Sequence, residues 1–220
     1  MTDLLGEQKR YYAERAPEYD DWWYRRGRYE LEPDALARWQ TDVAEAEAAL
    51  EALAPLGTAL ELAAGTGIWT RRLLRLAERV VAVDANAETL ALNTPEAELV
   101  RADVFAWEPA ERFDLVFFSF WLSHVPEERF AEFWTLVGAA LGPGGRVFLV
   151  DSGAGDTAHT GTDQADGEET RSLADGRTFR IVKRRWSPQE LEARARPLGF
   201  ELELYDTANG HFLYGGGVVA

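Results

Sequence analysis

Cysteine is absent from the chain, which excludes disulfides and thiolate metal sites and makes a cytoplasmic address the expected one. No apolar run is long enough to span a bilayer, and Met1–Glu7 lacks the basic-then-apolar pattern of a secretory signal. Positive charge is scarce: 23 Lys and Arg stand against 38 Asp and Glu, a net charge of −15. A chain of that balance repels nucleic acid, so DNA and RNA are not expected partners. Neither a membrane partner nor a metal is implied, and there is no internal repeat. The acidity favours solubility without identifying a partner.

The chain has 220 residues, 46% of them hydrophobic, which suits one α/β domain with a sizeable core. We expect a single domain over 1–220, with an N-terminal helical lid over 1–55 and a core over 56–220. Residues 7–29 mix aromatic and charged side chains, and Pro17 predicts a break there into two short helices or a helix and a turn. That segment is either an amphipathic cap or a lid over a ligand. Pro33, with Glu30 and Glu32 beside it, starts a helix running to Ala54. From Gly57 the pattern alternates. Strands are predicted near 58–63, 79–84, 98–101, 113–118 and 145–151, and helices near 68–78, 87–93 and 127–141, the signature of a parallel sheet with right-handed crossovers. Residues 152–177 read as a loop, mobile at a ligand mouth or simply solvated, and 178–183 as a strand. Ser187-Pro188 opens a further helix. A closing β-hairpin turns through Asn209-Gly210, for which a type I′ turn is predicted.

The centre of this pattern is Glu61-Leu62-Ala63-Ala64-Gly65-Thr66-Gly67, a glycine turn between a strand and a helix that lets backbone approach a ligand. A dinucleotide fingerprint requires a third glycine, and that position holds Thr70, preceded by bulky Trp69. No Gly-Lys-Ser/Thr follows, so a phosphate loop is absent too. The stretch resembles motif I of the class I S-adenosylmethionine (SAM)-dependent methyltransferases, with Ala63 where that family usually has its first glycine. The resemblance continues in order through Asp84 at the end of the second strand, Ala102-Asp103-Val104-Phe105, Phe113–Ser119 and Leu141–Gly145. It implies a Rossmann-like, mostly parallel seven-stranded sheet of order 3-2-1-4-5-7-6 with helices on both faces.

The resemblance also implies SAM as methyl donor, with S-adenosylhomocysteine (SAH) as its product, and a set of residues around it. Asp84, with Ala85 beside it, matches the acceptor of the ribose hydroxyls, and two carboxylate oxygens suit a vicinal diol. Asp103 and Val104 match the adenine contacts, and Ser119 lies where the fourth strand nears the methionine moiety. Ala63, Gly65 and Gly67 shape the turn, while Glu61 either nears the donor's amino-acid end or braces the loop. Tyr11, Arg15 and Tyr19 of the lid match side chains that reach the donor's carboxylate. His124 is the candidate general base, or else bonds backbone or faces the cofactor. Trp22, Trp23, Phe120 and Trp121 form an acceptor pocket or pack in the core. The expected activity is methylation of a small organic molecule on O, N or C, by a monomer or homodimer. The rivals are a non-catalytic SAM binder and an NAD(P)-dependent oxidoreductase.

Overall fold

The computed structural model describes residues 3–153, 162–163 and 167–220. Seven strands form one sheet: β1 (Leu56–Leu62), β2 (Ala77–Asp84), β3 (Glu98–Arg101), β4 (Phe113–Ser119), β5 (Leu141–Ser152), β9 (Phe200–Asp206) and β10 (Phe212–Val219). Their order is β3-β2-β1-β4-β5-β10-β9. Numbered within this sheet alone, that is the expected 3-2-1-4-5-7-6. The first five are parallel, and β10 runs antiparallel to both β5 and β9. Continuous apolar runs such as Val80–Val83 and Leu115–Phe118 are buried because helices cover both faces of such a sheet. The carboxyl ends of β1, β2 and β4 open onto one edge, where the order reverses between β1 and β4. Ligands of open α/β sheets bind at such a switch point.

Several elements differ from expectation. Helix α1 (Leu4–Trp23) passes through Pro17 without a break. A mid-helix proline loses one hydrogen bond and crowds the carbonyl four residues back, costing about 3 kcal/mol. Burial of Tyr11, Trp22 and Trp23 on both sides of it offsets that, at roughly 1.5–3 kcal/mol for each large apolar side chain. Helices α3 (Thr70–Leu73) and α4 (Ala87–Leu90) are single turns, shorter than predicted. Their continuations tighten into three-residue bonds, Arg75 N–H to Arg72 O and Asn93 N–H to Leu90 O. Helix α5 spans Phe130–Ala140, and β5 already starts at Leu141.

The stretch read as a loop is partly β-structure. Strands β6 (Thr162–Asp163) and β7 (Glu168–Ser172) fall within it and join β8 (Thr178–Val182), the strand expected over 178–183, in a small antiparallel sheet, with left-handed Gly176 in the β7–β8 turn. Residues 154–161 and 164–166 of that stretch lie outside the described residues. Helix α1 packs against β8 on one side and α4 on the other. It thus lies across the carboxyl edge of the main sheet.

Helix α2 (Pro33–Glu51) covers β10, and its Asp42 explains the closing turn. Asp42 is fully buried. It accepts hydrogen bonds from Thr207 Oγ1 (2.8 Å), Asn209 N (3.1 Å) and Nδ2 (2.8 Å), and His211 N (3.1 Å), and pairs with His211 Nδ1 (2.7 Å). Only Gly210 of the Asn-Gly pair has positive φ, at 76°, so the turn is not type I′, which needs positive φ at both. The carboxylate, not an intrinsic turn preference, sets the loop. Asp42→Ala is expected to cost about 3 kcal/mol, because it leaves several buried donors without an acceptor. Thermal unfolding followed by circular dichroism measures it, and a shift of the midpoint under 2 °C would show that Asp42 does not anchor the loop.

Candidate active site

The turn after β1 carries three residues in the left-handed region, Ala63 (φ 54°), Gly65 (φ 55°) and Gly67 (φ 85°). For Ala63 this conformation costs about 1 kcal/mol. A Cβ on Gly67 would stand 2.0 Å from Asn93 Oδ1. Asn93 itself braces the turn, donating from Nδ2 to Gly65 O (3.3 Å) and to Thr70 Oγ1 (3.1 Å). Thr70, at the position of the missing third glycine, donates to Glu61 Oε2 at 2.5 Å. Glu61 is therefore beneath the turn. It is buried and does not line the cleft above, and through Thr70 it takes the bracing role, one of its two expected roles.

Burial pushes the Glu61 carboxyl up to about 8, Asp84 adds to the shift, and the Thr70 hydrogen bond works against it. A raised carboxyl contributes stability that is complete below its unfolded value of 4.5 and is lost as pH climbs through 8. The free protein is expected to lose several kcal/mol between pH 5 and pH 9 from this group. Glu61→Gln keeps the Thr70 contact and is expected to flatten that loss. Urea unfolding at the two pH values tests this, and an unchanged pH slope in the variant would refute it.

Asp84, at the end of β2, ties the turn to the next loop. Its Oδ2 accepts from Gly65 N (2.9 Å), and its Oδ1 from Asn86 N (2.8 Å) and Thr89 Oγ1 (3.1 Å). Burial raises its carboxyl above the ordinary value against the pull of those bonds. Asp103 accepts from Phe105 N (3.1 Å) and from Lys9 Nζ of α1 (2.6 Å). Partial burial opposes its ionisation, and the Lys9 and Phe105 bonds outweigh it, holding the carboxyl below the usual range. Lys9 thus occupies the acceptor expected for an adenine amino group.

These parts enclose a cleft with about 900 Å³ of empty space including its mouth. One wall is a face of α1, Leu5, Gln8, Lys9, Tyr12 and Tyr19, spaced at helical intervals of three, four and seven. The floor holds Ala63 and Gly65, and further walls hold Asp84, Ala85, Asp103, Val104, Ser119, Phe120, Trp121 and His124. Trp121 neighbours Phe105, ring centroids 6.0 Å apart, which puts it on the Asp103 side. Gly67 shapes the turn without lining the cleft.

A second pocket adjoins the first and shares Tyr12, Tyr19, Phe120 and His124 with it. It is lined further by Arg15, Trp22, Ser152, Arg171 and Lys183. The three cations are each at least 94% buried, with exposures of 6%, 6% and 6%. Lys183 Nζ donates to Ser152 Oγ (2.8 Å) and Ser123 Oγ (3.0 Å) and lies 3.9 Å from Asp151 Oδ1. Arg171 pairs with buried Glu169 at 2.9 Å. Arg15 makes no ion pair among the described residues, and its buried Nε has no hydrogen-bond partner. Its guanidinium is 5.1 Å from the Tyr19 ring and 5.6 Å from Tyr11.

One expectation changes here. Tyr11 does not reach the cleft; it packs with Leu173 and Ile181 between α1 and the small sheet. Trp23 takes the core alternative given for it, in an aromatic cluster with Trp39, Trp69 and Phe212, and also lines a small pocket with Gly65, Ser119 and Phe120. Sequence reasoning missed Gln8, Lys9, Tyr12, Asn93, Arg171 and Lys183.

A methyltransferase-domain family profile matches residues 59–145. Among solved structures, the chain is 36% identical to a DhpI–SAH complex (TM-score 0.79), covering 100% of this chain and 98% of that one. It is 35% identical to a DhpI–SAM–HEP complex (TM-score 0.79), with 99% of each chain covered. The CcbJ methyltransferase from Streptomyces caelestis shares the fold at 22% identity and TM-score 0.67, over 95% of this chain and 98% of that one. No curated protein matches the sequence. The chain belongs to the class I SAM-dependent methyltransferases. SAM is its cofactor.

Proposed function

We infer that the protein transfers the methyl group of SAM to a small organic acceptor that carries an anionic group. The observation behind this reading is the basic pocket beside the cofactor cleft. Arg15, Arg171 and Lys183 line it, while two buried carboxylates, Glu169 and Asp151, stand behind it. Arg15 makes no ion pair among the described residues, inside a chain whose net charge is −15. Buried cations are costly unless something pairs with them, and an anionic acceptor is that partner. The DhpI–SAM–HEP complex, in which a protein 35% identical carries HEP together with SAM, is in keeping with two adjoining ligand sites.

In this reading Asp84 holds the ribose hydroxyls, and Asp103, released from Lys9, receives the adenine amino group with Val104 against the ring. Gly65 and Ala63 bring backbone to the donor, and Tyr19 and Ser119 bound its methionine end. When bound, SAM supplies a methyl group made electrophilic by the sulfonium. The chain's own work is to align the acceptor, neutralise its charge and exclude water. Phe120 and Trp22 close the acceptor side. Among the described residues no helix is long and apolar enough to cross a membrane; with the lack of cysteine, this supports a cytoplasmic enzyme. We read residues 1–220 as one domain.

A radiolabelled-methyl screen tests the reading. Phosphonates, phosphate monoesters and carboxylates are expected to accept label in preference to neutral phenols, azoles and amines. Labelling of neutral acceptors alone would refute the anionic class, and no labelling by a protein that binds SAH tightly would favour a non-catalytic binder.

A further inference from the structure

The ring nitrogens of His124, a candidate base with backbone bonding as its alternative, are both engaged. Nδ1 lies 2.6 Å from the carbonyl oxygen of Val182. A carbonyl only accepts, so Nδ1 carries a hydrogen. In the neutral ring Nε2 then has the lone pair, and it accepts from the Tyr12 hydroxyl at 2.7 Å. Gln8 fixes the register of this contact. Its Oε1 accepts from Val182 N (2.9 Å), and its Nε2 donates to His124 O (3.2 Å). One buried side chain of α1 thus ties Val182 and the His124 backbone to the helix, one turn before Tyr12.

We propose that Tyr12 is the catalytic residue that takes the acceptor's proton, with His124 as the proton sink behind it and Gln8 as the positioning residue. Tyr12 lines both the cofactor cleft and the basic pocket, as does His124, to which its hydroxyl is bonded. Its own hydrogen is committed to His124, which leaves the oxygen's lone pairs for a donor in the pocket. An acceptor that still carries a proton on its reacting oxygen gives it to Tyr12 O, while the Tyr12 hydrogen passes to His124 Nε2. The acceptor oxygen forms its bond to the methyl carbon, the carbon–sulfur bond breaks, and that electron pair returns to sulfur. The balance is a methyl ester, SAH and an imidazolium that still donates to Val182 O.

The groups facing His124 favour this timing. Among the described residues, Arg15 from α1, Arg171 from β7 and Lys183 after β8 oppose a charged imidazole, and Asp151 and Glu169 compensate two of the three. Across the cleft Asp103 and Arg129 offset each other. A bound anion tips the sum, so the proton sink becomes available when the acceptor arrives.

This proposal rests on the anionic-acceptor reading, and the test separates the two. The probe is methylphosphonate added to SAH-loaded, ¹⁵N-histidine-labelled protein, with binding followed by ³¹P NMR. Before addition, His124 is expected as the neutral Nδ1–H tautomer. At the pH of the probe's second ionisation, binding is expected to convert His124 to imidazolium in the wild type but not in Tyr12→Phe. A free Nε2–H tautomer, or a bound probe that leaves His124 neutral, overturns the relay. Failure of methylphosphonate to bind overturns the acceptor reading, and the relay with it. With an acceptor found by the methyl screen, Tyr12→Phe and His124→Gln should each lower kcat by about 10-fold one pH unit below the acceptor's last ionisation. Two units above it, where no proton needs removing, the loss should be under threefold. An equal loss at both pH values marks a merely structural role and overturns the relay.

Discussion

Arg15→Met is expected to lower kcat/KM for the anionic acceptor by about 10²–10³ while leaving the free protein as stable as the wild type or more so. The two halves of that result have one cause. The Arg15 guanidinium is buried, and its Nε has no partner; four rings, those of Tyr11, Tyr19, Trp22 and Tyr29, lie within 6.0 Å. Ring faces return about 1–2 kcal/mol to such a cation, less than its desolvation takes. Methionine fills similar volume without that penalty. Two charge-assisted hydrogen bonds to an anion are worth about 1.5–3 kcal/mol each, which gives the predicted rate loss. Steady-state kinetics with thermal unfolding on the same samples reads both. A strongly destabilised variant would show that Arg15 is structural. Weakened SAH binding with unchanged acceptor kinetics would return it to the donor's carboxylate, as the sequence resemblance implies.

The adjoining pockets divide the electrostatic work. On the cofactor side the titratable groups are carboxylates held in place by backbone donors, Asp84 by Gly65 and Asn86, Asp103 by Phe105. On the acceptor side they are cations held by hydroxyls and buried carboxylates. Under the proposed function a neutral diol and an amine would meet acceptors, and an anion would meet donors. Lys9 links the two sides of the cleft in the free protein through Asp103. The pair is largely exposed, so the contact is weak and its loss to an incoming adenine costs little.

The cofactor half of this site was legible because each part is local. A glycine turn ends one strand, Asp84 ends the next, and Asp103 follows the third, so strand order alone brings them together. The acceptor half was not legible for two physical reasons. Arg15, Arg171 and Lys183 meet only because a small sheet, whose β7 comes from a stretch that reads as loop, packs on α1 through β8. Pro17 also hid the phase of α1: with a break assumed there, Tyr12 and Tyr19 share no face, whereas an unbroken helix puts them two turns apart on one wall. Tyr11, expected with Arg15 from the resemblance, instead faces the small sheet. The closing turn failed similarly, since Asp42, far away in sequence, overrides what Asn209-Gly210 would do alone.

Asp84→Ala is expected to weaken SAH binding by about 10²–10³, the largest effect of any change on the cofactor side. The estimate is two charge-assisted hydrogen bonds to the ribose diol, roughly 1.5–3 kcal/mol each, less what water recovers in their place. Part of the loss is indirect, because Gly65 N, Asn86 N and the Thr89 hydroxyl would lose their shared acceptor and the turn would loosen. Asp84→Asn separates the two contributions. An amide keeps the shape but offers one oxygen, so its NH2 must face either Gly65 N–H or the Asn86 and Thr89 donors, a like-pole contact on whichever side it chooses. The amide is therefore expected to be no better than alanine at binding SAH. Calorimetry gives both dissociation constants. Tight SAH binding by Asp84→Asn would show that the diol needs only one acceptor, and unchanged affinity in Asp84→Ala would remove Asp84 from the ribose site.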